Sequence, residues 1–117
     1  IMDEICKIKD LYRTLYIFEK DFQQKYKITI NEAMLLCALK DGQPRSANEL
    51  CEFIGLSNSR GSRIINTSEA KKLIDREMGK DDKRKMIFTL SDSGKIKVSE
   101  MAKEELVISN QLRDLLK

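Results

Sequence analysis

Apolar positions along the first part of the chain recur with a helical period. Ile5, Ile8, Tyr12, Leu15, Phe22 and Tyr26 follow one another at steps of three, four or seven, which predicts a helix over residues 3–26. After the short break at Lys27 and Ile28, Thr29 and Glu32 have capping-box spacing and open a second helix reaching about Lys40. Asp41-Gly42-Gln43-Pro44 reads as a turn. A second capping box, Ser46 with Glu49, starts a short third helix that stops at Gly55, a residue suited to the left-handed position after a helix. Ser57 caps a fourth helix running to about Ala70. Residues 73–77 and 86–90 are short strand-like runs around the charged tip Gly79-Lys80-Asp81-Asp82-Lys83, a hairpin with a loop longer than the tightest kinds. Ser91 caps a last helix, read to the C-terminus. Within it Val98, Met101, Glu105, Ile108, Leu112 and Leu115 form a heptad seam with one polar interruption.

These elements make one domain over residues 1–117, mainly α with a small β-hairpin. The seams of the two long terminal helices, about 3–26 and 92–117, exceed what a small three-helix core covers. They either pack on each other or pair with a second copy, and a homodimer built from both ends is the favoured expectation. Residues 29–90 form the core between them.

Composition then removes several functions. The 117 residues are 41% hydrophobic and 35% charged, which fits neither disorder nor a membrane span, and no signal peptide opens the chain. The expected address is the cytoplasm, with no membrane partner. Histidine is absent, and with it the common triads, the commonest general acid–base group and most zinc sites. No phosphate-cradling glycine loop is present. An enzyme is not expected, nor a metal or cofactor. The three cysteines lack C-x-x-C spacing. Cys37, inside an apolar run, reads as a reduced core thiol, and Cys6 as a small dimer-face residue rather than a redox sensor.

Charge adds a direction. Nine basic residues (Arg60, Arg63, Lys71, Lys72, Arg76, Lys80, Lys83, Arg84 and Lys85) against five acids give residues 57–88 a charge of +4, although the whole chain carries only +3. That is the footprint of a polyanion-binding face.

Helix, tight turn at Gly55, helix and charged hairpin, in that order, are the grammar of a winged helix-turn-helix. Leu50, Ile54, Leu56 and Ile64 would pack the two helices together, with Cys51 small where they cross. Ser57, Asn58, Ser59, Arg60, Ser62 and Arg63 would lie on the exposed start of the second helix, within reach of a major groove. Arginine forks match guanine, asparagine matches adenine, and serine hydroxyls bond phosphates.

Residues 29–94 resemble the MarR (multiple antibiotic resistance regulator) family of transcription factors. The resemblance rests on Leu73-Ile74-Asp75-Arg76 opening the wing, on Asp82-Lys83-Arg84 matching the family's Asp-x-Arg, and on Met86-Ile87-Phe88-Thr89-Leu90-Ser91-Asp92-Ser93-Gly94. It implies long N- and C-terminal dimerisation helices and a symmetric homodimer on double-stranded DNA. Recognition helices would enter successive major grooves and wings the adjacent minor grooves. Many members release DNA when a small phenolic or anionic effector binds or a thiol is oxidised. The wing residues would be Lys80, Asp82, Lys83, Arg84 and Lys85, with Asp82 and Arg84 as its central pair. The chain departs from the family at Gly61, where a β-branched core residue is usual. Ser68 and Lys72 replace Leu and Gly, and Asp81 lies near the wing tip, where many members carry Arg.

The expected function is sequence-specific regulation of transcription from a pseudo-palindromic operator, modulated by a small ligand. The alternative is a winged-helix protein-interaction module without specific DNA binding. A ligand-first variant makes Tyr12, Tyr16, Phe18 and Phe22 an effector pocket, against the plainer reading of these aromatics as core.

Overall fold

A computed structural model describes residues 1–104 and 113–114 of the chain. The described chain falls into two compact units, Ile1–Ile30 and Asn31–Glu104.

The first unit is dominated by α1 (Met2–Tyr26), which ends where Lys27 turns left-handed, φ 63°, and donates its amide to Gln23 O at 2.9 Å. Only its last turns hold buried side chains, Phe22 and Tyr26, whose rings sit 4.9 Å apart, with Phe18 at 6.0 Å from Phe22. Higher on the helix, Ile5, Ile8, Tyr12, Tyr16 and Ile17 are exposed.

The second unit contains α2 (Ile30–Leu39) from Asn31 onward, β1 (Arg45–Ser46), α3 (Ala47–Ile54), α4 (Asn58–Ala70), β2 (Ile74–Met78), β3 (Met86–Leu90) and α5 (Asp92–Lys103). Leu35, Leu36, Leu39, Leu50, Ile65, Leu73, Ile74 and Phe88 form its buried core. Cys37 is not among them: it is exposed, correcting the reading of a core thiol. In an unbroken apolar run the sequence carries no phase. At about 100° per residue, burying 35, 36 and 39 turns 34 and 37 outward.

The helix ends follow local chemistry. At α3, Ser46 Oγ accepts from the Glu49 amide at 3.3 Å and Glu49 Oε1 accepts from the Ser46 amide at 3.1 Å, a complete capping box. Gly55 closes it at φ 82°, and the Leu56 amide returns to Cys51 O at 3.0 Å. Ser57 caps α4 through the Arg60 amide at 3.3 Å, and Ser91 caps α5 through the Gly94 amide at 3.0 Å. α4 ends in a Schellman motif, with the Lys72 amide donating to Glu69 O at 2.9 Å and the Leu73 amide to Ser68 O at 3.0 Å. Its left-handed residue is Lys72, φ 61°, where glycine would be unstrained. Ser91 Oγ then donates to Lys72 O at 2.6 Å, and a Cβ on Gly94 would strike Leu73 O, so α5 starts tight against the end of α4.

The sheet is three-stranded and antiparallel, in the order β1-β3-β2. β2 and β3 are the expected hairpin, registered Ile74 to Leu90 through Met78 to Met86. β1 is an addition: two residues that become a strand by pairing with Phe88 and Ile87. The single helix read to the C-terminus is corrected as well. α5 stops at Lys103 and Glu104 is extended (φ −101°, ψ 136°), while Arg113 and Asp114 are again helical. Val98 and Met101 of the seam are half-buried; Glu105, Ile108, Leu112 and Leu115 lie outside the described residues. Among the described residues no helix is long and apolar enough to cross a membrane.

Candidate nucleic-acid interface

The second helix of the helix-turn-helix is α4, and its two faces are sharply divided. Gly61, Ile65 and Ser68, at steps of four and three, are buried. Ser57, Asn58, Ser59, Arg60, Ser62 and Arg63 are all exposed around the first turns. Gly61 allows this by removing bulk on the inner side. A Cβ there would overlap the Sγ of Cys51 and come within 3.3 Å of its Cβ, so α3 and α4 cross at close range. The expected contributors Leu50, Ile54, Leu56 and Ile64 do face inward, Leu50 fully buried and the other three half-buried.

The wing loop between β2 and β3 is closed by the Gly79 amide donating to Lys85 O at 2.7 Å and the Lys85 amide donating to Asp82 O at 3.0 Å. Asp82 Oδ1 accepts from the backbone amide of Arg84 at 3.0 Å and from its Nε at 3.4 Å. The carboxylate therefore fixes the loop mainly through the backbone. The guanidinium side chain of Arg84 stays 93% exposed beyond it. Lys80, Lys83 and Lys85 are also exposed. The structure thus brings the five wing residues into one loop and the six helix residues onto the exposed sides of the first two turns of α4.

Not all of the basic excess serves that surface. Arg76 makes two bonds to Glu69 of α4, Nη2 to Oε1 at 2.5 Å and Nε to Oε2 at 3.2 Å, and its guanidinium lies 5.3 Å from the Phe88 ring centroid. Lys71 Nζ donates to the buried carboxylate of Glu32 at 2.7 Å. Counting charge along the sequence places both in the polyanion field, whereas the fold uses them to fasten α4 to β2 and to α2. Arg45 has a related role, donating through Nε to Ala38 O at 2.8 Å and pairing with Asp41 at 2.9 Å. Lys71 carries no local sequence signal, because Glu32 is brought to it by tertiary packing, whereas the partners of Arg45 and Arg76 lie within seven residues but across the turn or strand that separates them.

Tyr12 and Tyr16 are 71% and 66% exposed, Phe18 is half-buried, and Phe22 packs between Phe18 and Tyr26. Within the second unit a cleft of about 390 Å³ lies between the ends of α2 and β3 and the start of α5, lined by Leu39, Lys40, Gly42, Thr89, Leu90 and Lys95. Among the described residues no cluster of metal-ligating side chains occurs.

Compared with known proteins, residues 26–85 match the model of the MarR family, and that span covers half of the chain. The chain belongs to the MarR family. The family consists of DNA-binding transcriptional regulators, which are not enzymes. Its fold is that of solved MarR structures. BpsR of Bordetella bronchiseptica, whose DNA binding is regulated by 6-hydroxynicotinic acid, is 27% identical, with a TM-score of 0.64 over 79% of this chain and 72% of that one. YusO of Bacillus subtilis is 23% identical, TM-score 0.68, over 86% and 72% of the two chains. MepR of S. aureus, in complex with DNA, is 18% identical, TM-score 0.67, over 81% and 78%. No curated protein matches this MarR-family sequence significantly.

Proposed function

We propose that this chain is a sequence-specific transcription regulator that works in the cytoplasm and binds a pseudo-palindromic operator as a homodimer. The observation that carries the reading is the division of α4, with Gly61 seated on Cys51 inside and a polar, arginine-bearing turn outside. Arg60 and Arg63 present forks of the geometry that guanine O6 and N7 accept, and Asn58 matches adenine. Ser57, Ser59 and Ser62 bond phosphate oxygens beside the amide groups of the helix start. Lys80, Lys83, Arg84 and Lys85 neutralise phosphates flanking the half-site, and Asp82 holds the loop that carries them.

Dimerisation uses α1 and the C-terminal part of the chain from residue 92 onward, around a DNA-binding core of residues 29–90. Supporting this, α1 leaves Ile5, Ile8, Tyr12, Tyr16 and Ile17 exposed, and α5 leaves Ile96 exposed, apolar side chains available to a second copy. A small effector modulates binding. The cleft lined by Lys40 and Lys95 together with Leu39 and Leu90 has the mixed lining that suits an anionic ligand with an apolar body.

Selection of bound duplexes from a random library tests the reading. The expected result is an inverted repeat whose half-sites lie about one helical turn apart. Enrichment of single, unpaired half-sites would contradict the dimer, and no enrichment would contradict sequence recognition.

A further inference from the structure

The wing carries an apolar feature that phosphate binding does not explain. Met78 ends β2, Met86 begins β3, and the register sets them directly opposite each other. Strand alternation puts both on the face that also carries Ile74, Arg76, Phe88 and Leu90. This face is turned to α4, because Ile74 and Phe88 are buried and Arg76 bonds Glu69 of that helix. One step further out the core has ended, leaving Met78 59% and Met86 38% exposed. Lys80, Lys83, Arg84 and Lys85 follow at once, with Asp81 and Asp82 among them.

We propose that Met78 and Met86 form an apolar pad that packs on the deoxyribose faces and base edges of bound duplex DNA, beside the wing cations that hold its phosphates. The inference rests on the DNA-binding reading above and adds to it a contact that carries no charge. Charge complementarity selects the occupant. A partner seated on the pad lies next to a loop that carries four cations against two carboxylates, which suits a polyanion with apolar sugar between its phosphates. A second copy of this chain, docked symmetrically, would set the same cations against themselves. The thioether side chain suits the task, being flexible and polarizable enough to follow an irregular wall. Methionine is also among the apolar side chains that proteins insert at base steps.

The test is an anisotropy titration on one duplex bound by the wild-type protein, repeated across a salt series. The variants are the Met78→Ala, Met86→Ala double, the Met78→Leu, Met86→Leu double, and Arg84→Ala. The alanine double is expected to lose about tenfold in affinity with the wild-type slope of log K against log salt, since no phosphate contact is removed. The leucine double keeps close to wild-type affinity, Arg84→Ala flattens the slope, and the thermal midpoints of both methionine doubles stay at the wild-type value. An alanine double that binds as tightly as wild type would overturn the proposal. So would equal losses in the alanine and leucine doubles, or a fall in midpoint that accounts for the lost binding. Wild-type protein without affinity for any duplex would overturn the DNA-binding reading itself, a result separate from all of these.

Discussion

Gly61 of α4 rests against the thiol of Cys51 of α3, so closely that one added methyl group would overlap the sulfur. In the sequence Gly61 stands as a loss, a helix interior without a side chain where relatives place a β-branched one. In the structure the bulk comes from the other helix, and glycine is what lets Cys51 fit. The pair sets the depth at which α4 lies on α3, and so which of its residues face outward.

Gly61→Ala should therefore destabilise the protein. Alanine gains about 1 kcal/mol of helix propensity, but overpacking costs about 1–3 kcal/mol. Adding Cys51→Ala to that variant should recover part of the loss, with a coupling visible in urea unfolding of the four-member cycle. A Gly61→Ala protein more stable than wild type would show that the crossing is looser than described.

Lys72 holds a left-handed backbone at the Schellman end of α4. Lys72→Gly should raise stability by about 1 kcal/mol, the cost of a side chain in that conformation less the added freedom of glycine in the unfolded chain. Denaturant unfolding reads this directly, and a less stable variant would remove the assigned strain.

The α3 cap should make stability pH-dependent. Hydrogen bonding from the Ser46 amide, and then from its side chain, holds the Glu49 carboxyl below its ordinary range, helped by Arg45 and Lys85. Asp41 is lowered in the same direction by the Gln43 amide first and by Arg45. A lowered folded-state value means the stabilisation is complete above the ordinary carboxylate range and is lost as pH falls through the folded value. Glu49→Gln keeps the capping geometry without the titration, so its stability should fall less steeply on acidification. Parallel acid profiles for the two proteins would contradict this.

Two arginines of the basic stretch should behave differently. Arg84→Ala should weaken DNA binding and reduce its salt slope by about one. Arg76→Ala should leave the slope alone and instead lower stability by up to about 1 kcal/mol, because its guanidinium is committed to Glu69 and Phe88. Matching slopes for the two variants would show that position along the sequence, rather than pairing in the fold, decides which charges meet DNA.

The contrast between these arginines marks what was legible in the sequence. Features fixed by neighbours a few residues away read correctly: the Ser46 and Glu49 box, the Ser57 and Ser91 caps, Gly55 and the existence of the hairpin. Features made by distant partners did not. β1 is a strand only because β3 lies beside it, and Cys37 sits in an apolar run that has no phase of its own. Arg76 meets Glu69 across the end of a helix, and Gly61 makes sense only with Cys51 in place. The end of α5 at Lys103 was hidden for the opposite reason, since the heptad pattern continues past it through Glu105. For the candidate DNA-binding face, the helix and its exposed residues were readable from its cap and its charge, whereas the reason α4 seats so closely was not.

The central claim is that α4 and the wing read a DNA sequence. It is tested by an anisotropy titration of the protein on the duplex upstream of its own gene, against a scrambled duplex of equal length and at two salt concentrations. Nanomolar binding to the native duplex is expected, on the order of a thousandfold tighter than to the scrambled one, with both weakening as salt rises. Equal affinity for the two duplexes would reduce the surface to phosphate contact alone. No binding to either at low salt would contradict the account and favour a winged-helix module that binds proteins.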